Sequence, residues 1–201
     1  MYTLSRETWS TRNMVKIAVL GVIGMVLMFF DIPAFFAPGF LKIDLADLPA
    51  LIGAFAMGPM AGVIVQLVKN LLSIFIEGTK TGGIGELSNF IVGSTFVYVA
   101  GLVYYKNKTF RTAVIGLIVG ILAMTTVATI SNYYVIFPLY AKIFGWPMDQ
   151  IIQMGSAVNK FVIDYKTLIL FAVVPFNLVK GTIVSIVTLL VYKKVSPILH
   201  K

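Results

Sequence analysis

The stretch DLADLPALIGAFAMGPMAGVIVQLVKNLL, residues 44–72, decides how often the chain crosses a bilayer. Taken whole, it is apolar enough for one long tilted helix, and the chain then has about five spans. Gly58-Pro59 argues for a break inside it. Glycine reaches backbone angles closed to other residues, and proline brings no N–H to a helix ladder. With the break, a short helix at about 47–57 precedes a span at about 60–76, and the count rises to about six. The strength of the turn signal favours the split.

Outward from that stretch, further apolar runs lie at about 14–30, 86–105, 112–137 and 167–192. A chain of 201 residues that is 59% hydrophobic and 12% charged, with a mean hydropathy of +0.94, lacks the residues for a polar shell. It reads as a single all-α membrane domain over residues 1–201, a bundle of six transmembrane helices. The first run is followed by no small-residue cleavage site and reads as a retained helix.

The net charge of +8 is not laid out as a nucleic-acid footprint, so no nucleic-acid partner is expected. Arg6, Arg12 and Lys16 flank the first span. Lys106, Lys108 and Arg111 lie between the fourth and fifth, and Lys193, Lys194 and Lys201 follow the last. Six spans place all three clusters on one side, which the positive-inside rule makes the cytoplasm, with both termini there. Asp31, Asp44, Asp47, Glu77, Glu86, Asp149 and Asp164 fall on the opposite side, and Glu7 is the exception. The expectation is a multi-pass protein of the cell membrane.

Polar residues inside apolar runs carry the functional signal. A lysine at helix centre costs about 2.5–3.5 kcal/mol on insertion scales, so it faces a partner or a cavity. In PFNLVKG, residues 175–181, Asn177 and Lys180 share a helix face at i, i+3, and Gly181 leaves it open. Pro175 withholds a donor and frees a carbonyl. The result is a polar notch suited to a ligand; the plainer reading pairs Lys180 with a carbonyl or lets it snorkel. On the fifth span Thr125, Thr129, Asn132, Tyr133 and Ile136 recur at helical spacing. Asn132 is the ligand candidate among them. The threonines can bond back to their own helix, and the tyrosines suit an interfacial belt. Gln66, Lys69 and Asn70 in QLVKNLL read as a tie to the carboxylates Asp44, Asp47 and Glu86. The first loop, PAFFAPGFLKIDLAD, is apolar for solvent; Phe35, Phe36, Phe40, Leu41 and Ile43 can close over a flat ligand. EGTKTGGIGELSNF offers glycine-rich backbone donors beside Glu86 and Asn89.

Chemistry finds no support. Cysteine is absent, the only histidine is His200, and no Ser/His pair, HExxH motif or same-span carboxylate pair occurs. No metal or cofactor is expected, and an enzyme is the least favoured class. The GxxxxGK[ST] phosphate loop is missing too, so any ATP chemistry resides on another polypeptide. Ala18, Gly21 and Gly24, with Val22 beside them, form a small-residue stripe on the first span. It suits close approach by a partner helix or by a neighbour in the same bundle.

The blocks 44–72 and 85–104, with NYYVIFPLY at 132–140 and FNLVKG at 176–181, resemble the riboflavin-specific substrate-binding subunit of energy-coupling factor (ECF) transporters. The resemblance covers about residues 14–194. It implies a six-helix bundle with the vitamin bound in the outer half, beneath the loop between spans one and two. It also implies an ECF module of one membrane scaffold subunit and two ATPase subunits that drives uptake. Asn132, Asn177 and Lys180 then hydrogen-bond the flavin's polar edge or ribityl chain. Leu41, Lys42, Ile43 and Asp44 fall where the first loop meets the ligand, and Glu86 near the pocket mouth. The family's Ala-x-x-x-Ala docking face is altered here, since Ala18 is followed by Val22, with glycines at 21 and 24. Two alternatives stand beside this reading: the same superfamily with another vitamin, and a structural or assembly protein whose Lys69 and Lys180 merely pair with carboxylates.

Overall fold

The computed structural model describes residues 10–79 and 81–199. Arg6, Glu7, His200 and Lys201, which enter the charge reading, lie outside them, as does the side chain of Lys193. Helix α1 runs Thr11–Met28, started by Ser10, whose hydroxyl accepts the Asn13 N–H. A short antiparallel hairpin follows, β1 (Ile32–Pro33) against β2 (Lys42–Ile43). Then come α2 (Leu48–Met57), α3 (Pro59–Glu77), α4 (Ile84–Asn107) and α5 (Phe110–Ser131). After α5 the helix widens by one residue per turn over Asn132–Ile136 and continues as α6 (Phe137–Phe144). Helix α7 is Met148–Ser156 and α8 Tyr165–Leu168. A second wide turn at Ile169–Val173 leads into α9, Val174–Leu199. Asp164 starts α8, and the Thr167 N–H and hydroxyl that it accepts hold its carboxyl below the usual range.

The fold is all-α and apolar outside. Among the described residues, five helical stretches are long and apolar enough to cross a membrane: Thr11–Met28, Pro59–Glu77, Ile84–Asn107, Phe110–Phe144 and Tyr165–Tyr192. The expected segment at 47–57 forms helix α2, the shortest of the apolar set. Helix α2 has 10 residues, about 15 Å of rise, against about 30 Å of hydrocarbon. Its sequence is as apolar as a span, but it is an interior helix with nearly every side chain buried. Gly58 takes a φ of 102°, open to glycine alone at low cost, and α3 folds back along α2 from Pro59. Gly62 makes that return close: a Cβ there would stand 2.7 Å from the Ala54 Cβ and 2.8 Å from the Ala50 carbonyl oxygen.

The basic residues gather at the Gly58 end. The Tyr105 ring lies against Gly58, and Tyr104 packs on Phe55 and Tyr192. Lys106, Lys108 and Arg111 therefore share an end with the start of α1 and the far part of α9. A core of Leu51, Phe55, Val65, Phe96, Leu117 and Val184 fills this half. A second apolar cluster, with Ile136, Phe137, Ile151, Leu168 and Phe176, fills the hairpin half.

The small-residue stripe of α1 splits. Gly21 and Gly24 are buried against α3, where a Cβ would meet Val68 and the Lys69 side chain. They are packing positions of this bundle, not a docking face. Ala18 and Val22 are exposed on the opposite side. We expect Gly62→Ala to overpack the α2–α3 turn and destabilise the fold by about 1–3 kcal/mol. In detergent its unfolding temperature should fall clearly below that of Gly39→Ala, where a Cβ meets nothing within 4 Å.

Candidate functional site

Two prolines shape the site. Pro138 supplies no N–H, so the helix widens before it and the Tyr133 carbonyl loses its ladder donor. The Tyr165 hydroxyl takes over, donating to the Tyr133 oxygen at 2.5 Å and to the Asn132 oxygen at 3.2 Å. Pro175 does the same on the other side. The Phe171 carbonyl freed by it accepts from the Asn159 Nδ2 at 3.0 Å. The sequence reading left that carbonyl to the notch, but a third segment satisfies it.

These wide turns set the azimuths of Asn132 and Asn177. Each is buried, and each amide nitrogen donates to a carbonyl of its own helix, Ala128 and Val173 respectively, at 2.8 Å. Each keeps one N–H and its carbonyl oxygen for something else. Both line a cavity of about 390 Å³ between the hairpin and the helices. Phe40, Leu41, Met124, Ile136, Phe137, Tyr140 and Phe176 supply its apolar wall. Phe40 packs edge-on against Phe137 and tilts over Tyr140, so the hairpin roofs the cavity.

The cavity floor is ionic. Lys180 Nζ donates to Asp44 Oδ2 at 3.0 Å and lies 3.9 Å from Asp47 Oδ2. Asp47 Oδ1 accepts from Lys69 Nζ and from Gln66 Nε2, each at 2.8 Å. Asp44 Oδ1 accepts the Ala46 N–H at 2.9 Å. Two ammonium groups and two carboxylates thus cancel in the interior, with Lys69 fully buried. The tie expected of QLVKNLL holds for Gln66 and Lys69, both on Asp47, while the Asn70 amide donates to the Gln66 carbonyl. Glu86 is elsewhere, accepting from the Thr81 and Thr79 hydroxyls at 2.8 and 3.2 Å.

A family model described as "ECF transporter, substrate-specific component" matches residues 12–192. The chain belongs to that family. It is an ECF substrate-specific component and not an enzyme. Among curated proteins it is similar to "Riboflavin transporter RibU" of Staphylococcus aureus (strain TCH60), 34% identical over 191 residues, with 94% of this chain and 93% of the relative covered. It is also similar to "Riboflavin transporter FmnP" of Bacillus subtilis (strain 168), 32% identical, with 92% and 93% covered. Among solved structures it is similar to one described as "Structure and mechanism of the S component of a bacterial ECF transporter". The TM-score there is 0.73 at 31% identity, covering 94% of this chain and 98% of the other.

For this ECF component, the residues singled out by sequence fall as follows. Leu41, Lys42, Asp44, Glu86, Asn132, Asn177 and Lys180 all border the cavity. Ile43 does not; it sits in β2 opposite Ile32 and packs into the apolar cluster behind the wall. Phe35 points outward and is 89% exposed, so it closes over nothing in this structure. Lys42 is held by Asp31 at 2.7 Å across the hairpin. Sequence reasoning passed over Ser73, Val92, Phe137 and Tyr140 as wall residues. Pro138, inside the quoted NYYVIFPLY, was the available signal for the last two, since a proline there forces the helix to widen.

Removing one partner of a buried pair leaves a bare charge, at a cost of about 3–5 kcal/mol. Lys69→Met should therefore lower the unfolding temperature in detergent strongly. Lys69→Met with Asp47→Leu should recover part of that loss, and additive losses would argue against the pairing.

Proposed function

We propose that this chain captures riboflavin on the outer face of the cell membrane and holds it in the hairpin-roofed cavity, as the binding subunit of an ATP-driven vitamin importer. The observation that carries the reading is the division of the cavity wall. One side is aromatic and aliphatic, while the other presents two asparagine amides with free hydrogen-bonding capacity beside an ammonium group. A flavin ring is flat and largely apolar with polar edges, and the cavity volume falls in the usual range for small-ligand sites. The names of the relatives support the same ligand.

In this reading Asn132 and Asn177 meet the imide edge or the ribityl hydroxyls, each offering an acceptor and a donor. Lys180 adds a charge-assisted donor while two carboxylates hold it in place. Leu41 and Phe40 cover the ring from the hairpin. Lys42, Asp44 and Glu86 complete the polar rim, and Ile43 contributes by packing the hairpin down. With the basic Gly58 end in the cytoplasm, as the positive-inside rule favours, the cavity opens outward and both termini face inward. The chain has no phosphate loop, so energy comes from partners: a membrane scaffold subunit and two ATPase subunits. The exposed side of α1, carrying Ala18 and Val22, is the face we assign to the scaffold.

The test is direct. Detergent-purified protein should show flavin absorbance that is released on unfolding, or should quench added riboflavin fluorescence once stripped. A colourless protein that quenches nothing would sink the flavin assignment. Lys180→Ala should weaken binding by about 10–150-fold, corresponding to roughly 1.5–3 kcal/mol. Asn177→Leu should cost about tenfold by leaving a ligand polar group unmatched. Melting curves of the same samples separate a lost contact from a lost fold, and unchanged affinity in either variant removes that residue from the site.

A further inference from the structure

The stretch 145–168 lies behind the cavity wall, whose lining comes from other described residues. It nevertheless holds the parts of the wall that carry the two asparagines. Helix α7 is seated closely on α8: a Cβ on Gly155 would stand 2.5 Å from Leu168 Cδ1 and 3.0 Å from Val162 Cγ1. Ile151, Val162 and Leu168 are buried in one apolar cluster with Ala34 and Ala37 of the hairpin. The stretch is therefore anchored to the roof as well as to α8.

Two of its side chains reach the wide turns. The Tyr165 hydroxyl shares its proton between the Tyr133 oxygen at 2.5 Å and the Asn132 oxygen at 3.2 Å. Its ring stacks on Tyr133 with centroids 4.8 Å apart. Asn159 bonds in three directions. Its Nδ2 donates to the Phe171 oxygen at 3.0 Å and to the Phe36 oxygen at 3.4 Å, and its Oδ1 accepts the Phe161 N–H at 3.1 Å. Asn132 lies in the first wide turn, and Val173, whose carbonyl accepts from Asn177, ends the second.

A wide turn carries one residue more than an α-turn, and one residue is worth about 100° of rotation. Whether the turn stays wide therefore decides where the neighbouring side chain points. The proline frees a carbonyl, and the donor that meets it from outside favours the wide form. Two amides that face one rigid ligand must keep a fixed mutual placement, and groups ordered in advance bind it without a further ordering cost.

We infer that Asn159 and Tyr165 are positioning residues for ligand binding: from outside the cavity, Tyr165 fixes the azimuth of Asn132 and Asn159 that of Asn177. The inference rests on the flavin reading above, in which those two amides meet the ligand.

The experiment is a riboflavin fluorescence-quenching titration of the full chain in detergent. Tyr165→Phe keeps the ring and its stack and removes only the donor. Asn159→Asp keeps the acceptor for Phe161 and removes both amide donors. Each is made alone, with Asn132→Leu and with Asn177→Leu. Alone, each should raise the dissociation constant about three- to tenfold. The Tyr165→Phe increase should vanish in the Asn132→Leu background and persist in the Asn177→Leu background, and Asn159→Asp should show the reverse. Melting curves check that each protein compared is folded, and each of the two variants decides its own residue. Unchanged affinity in a variant overturns the inference for that residue. An increase of the same size in both backgrounds also overturns it, because the side chain then acts through the fold as a whole. Failure of the unmodified chain to quench riboflavin overturns the flavin reading, and the inference with it.

Discussion

Two carboxylates and two ammonium groups buried in an apolar bundle must cancel, and most of this structure follows from where they do so. Asp44 and Asp47 come from the end of the hairpin, Lys69 from α3 and Lys180 from α9. An unpaired charge at that depth costs several kcal/mol, so these segments share one registry. Asp47 also ends the loop at the depth of Lys69, which explains why α2 is short: it starts inside the bundle and needs only ten residues to reach the turn at Gly58. Gly24 leaves room for the Lys69 side chain alongside α1. A residue that reads as a docking stripe in sequence is thereby spent on the ion cluster.

The cluster also ties site to scaffold. Lys180 cannot be both a free donor and a structural cation; here it is held by Asp44 and retains hydrogen-bonding capacity, since an ammonium has three donors. A ligand that approaches it meets a group already desolvated and oriented. The hairpin that roofs the cavity ends at Asp44, so the lid and the cation are mechanically one unit. The prolines work differently. Pro138 and Pro175 each widen a helix, and each freed carbonyl is satisfied from another segment, by Tyr165 and by Asn159. The wide turns are therefore stable features that rotate Asn132 and Asn177 into place.

The sequence made most of the site legible because a membrane protein hides little. Against an apolar background, Asn132, Asn177, Lys180 and Lys69 stand out one by one, and each costly residue announces a partner or a cavity. Helical spacing put Asn177 and Lys180 on one face. Gly58-Pro59 predicted the break, and composition alone established the all-α membrane class. The stripe at Ala18, Gly21, Val22 and Gly24 was ambiguous for a physical reason: small residues permit close approach without saying by whom.

Tertiary structure decided what pairs with what. Spacing cannot tell whether an ammonium meets a carboxylate more than a hundred residues away, as Lys180 does with Asp44. Nor can it tell that a fully apolar ten-residue helix starts within the bundle, because burial by lipid and burial by protein select the same side chains. Ile43 and Leu41 are nearly alike in sequence, yet only Leu41 reaches the cavity: Leu41 lies in the turn just before β2, while Ile43 sits within β2 opposite Ile32, and where the strand begins was not written in composition. The chain by itself determined its solvent, its class and its costly residues. Contact between distant segments determined their partners, since electrostatic and packing energies depend on distances that only the folded chain sets.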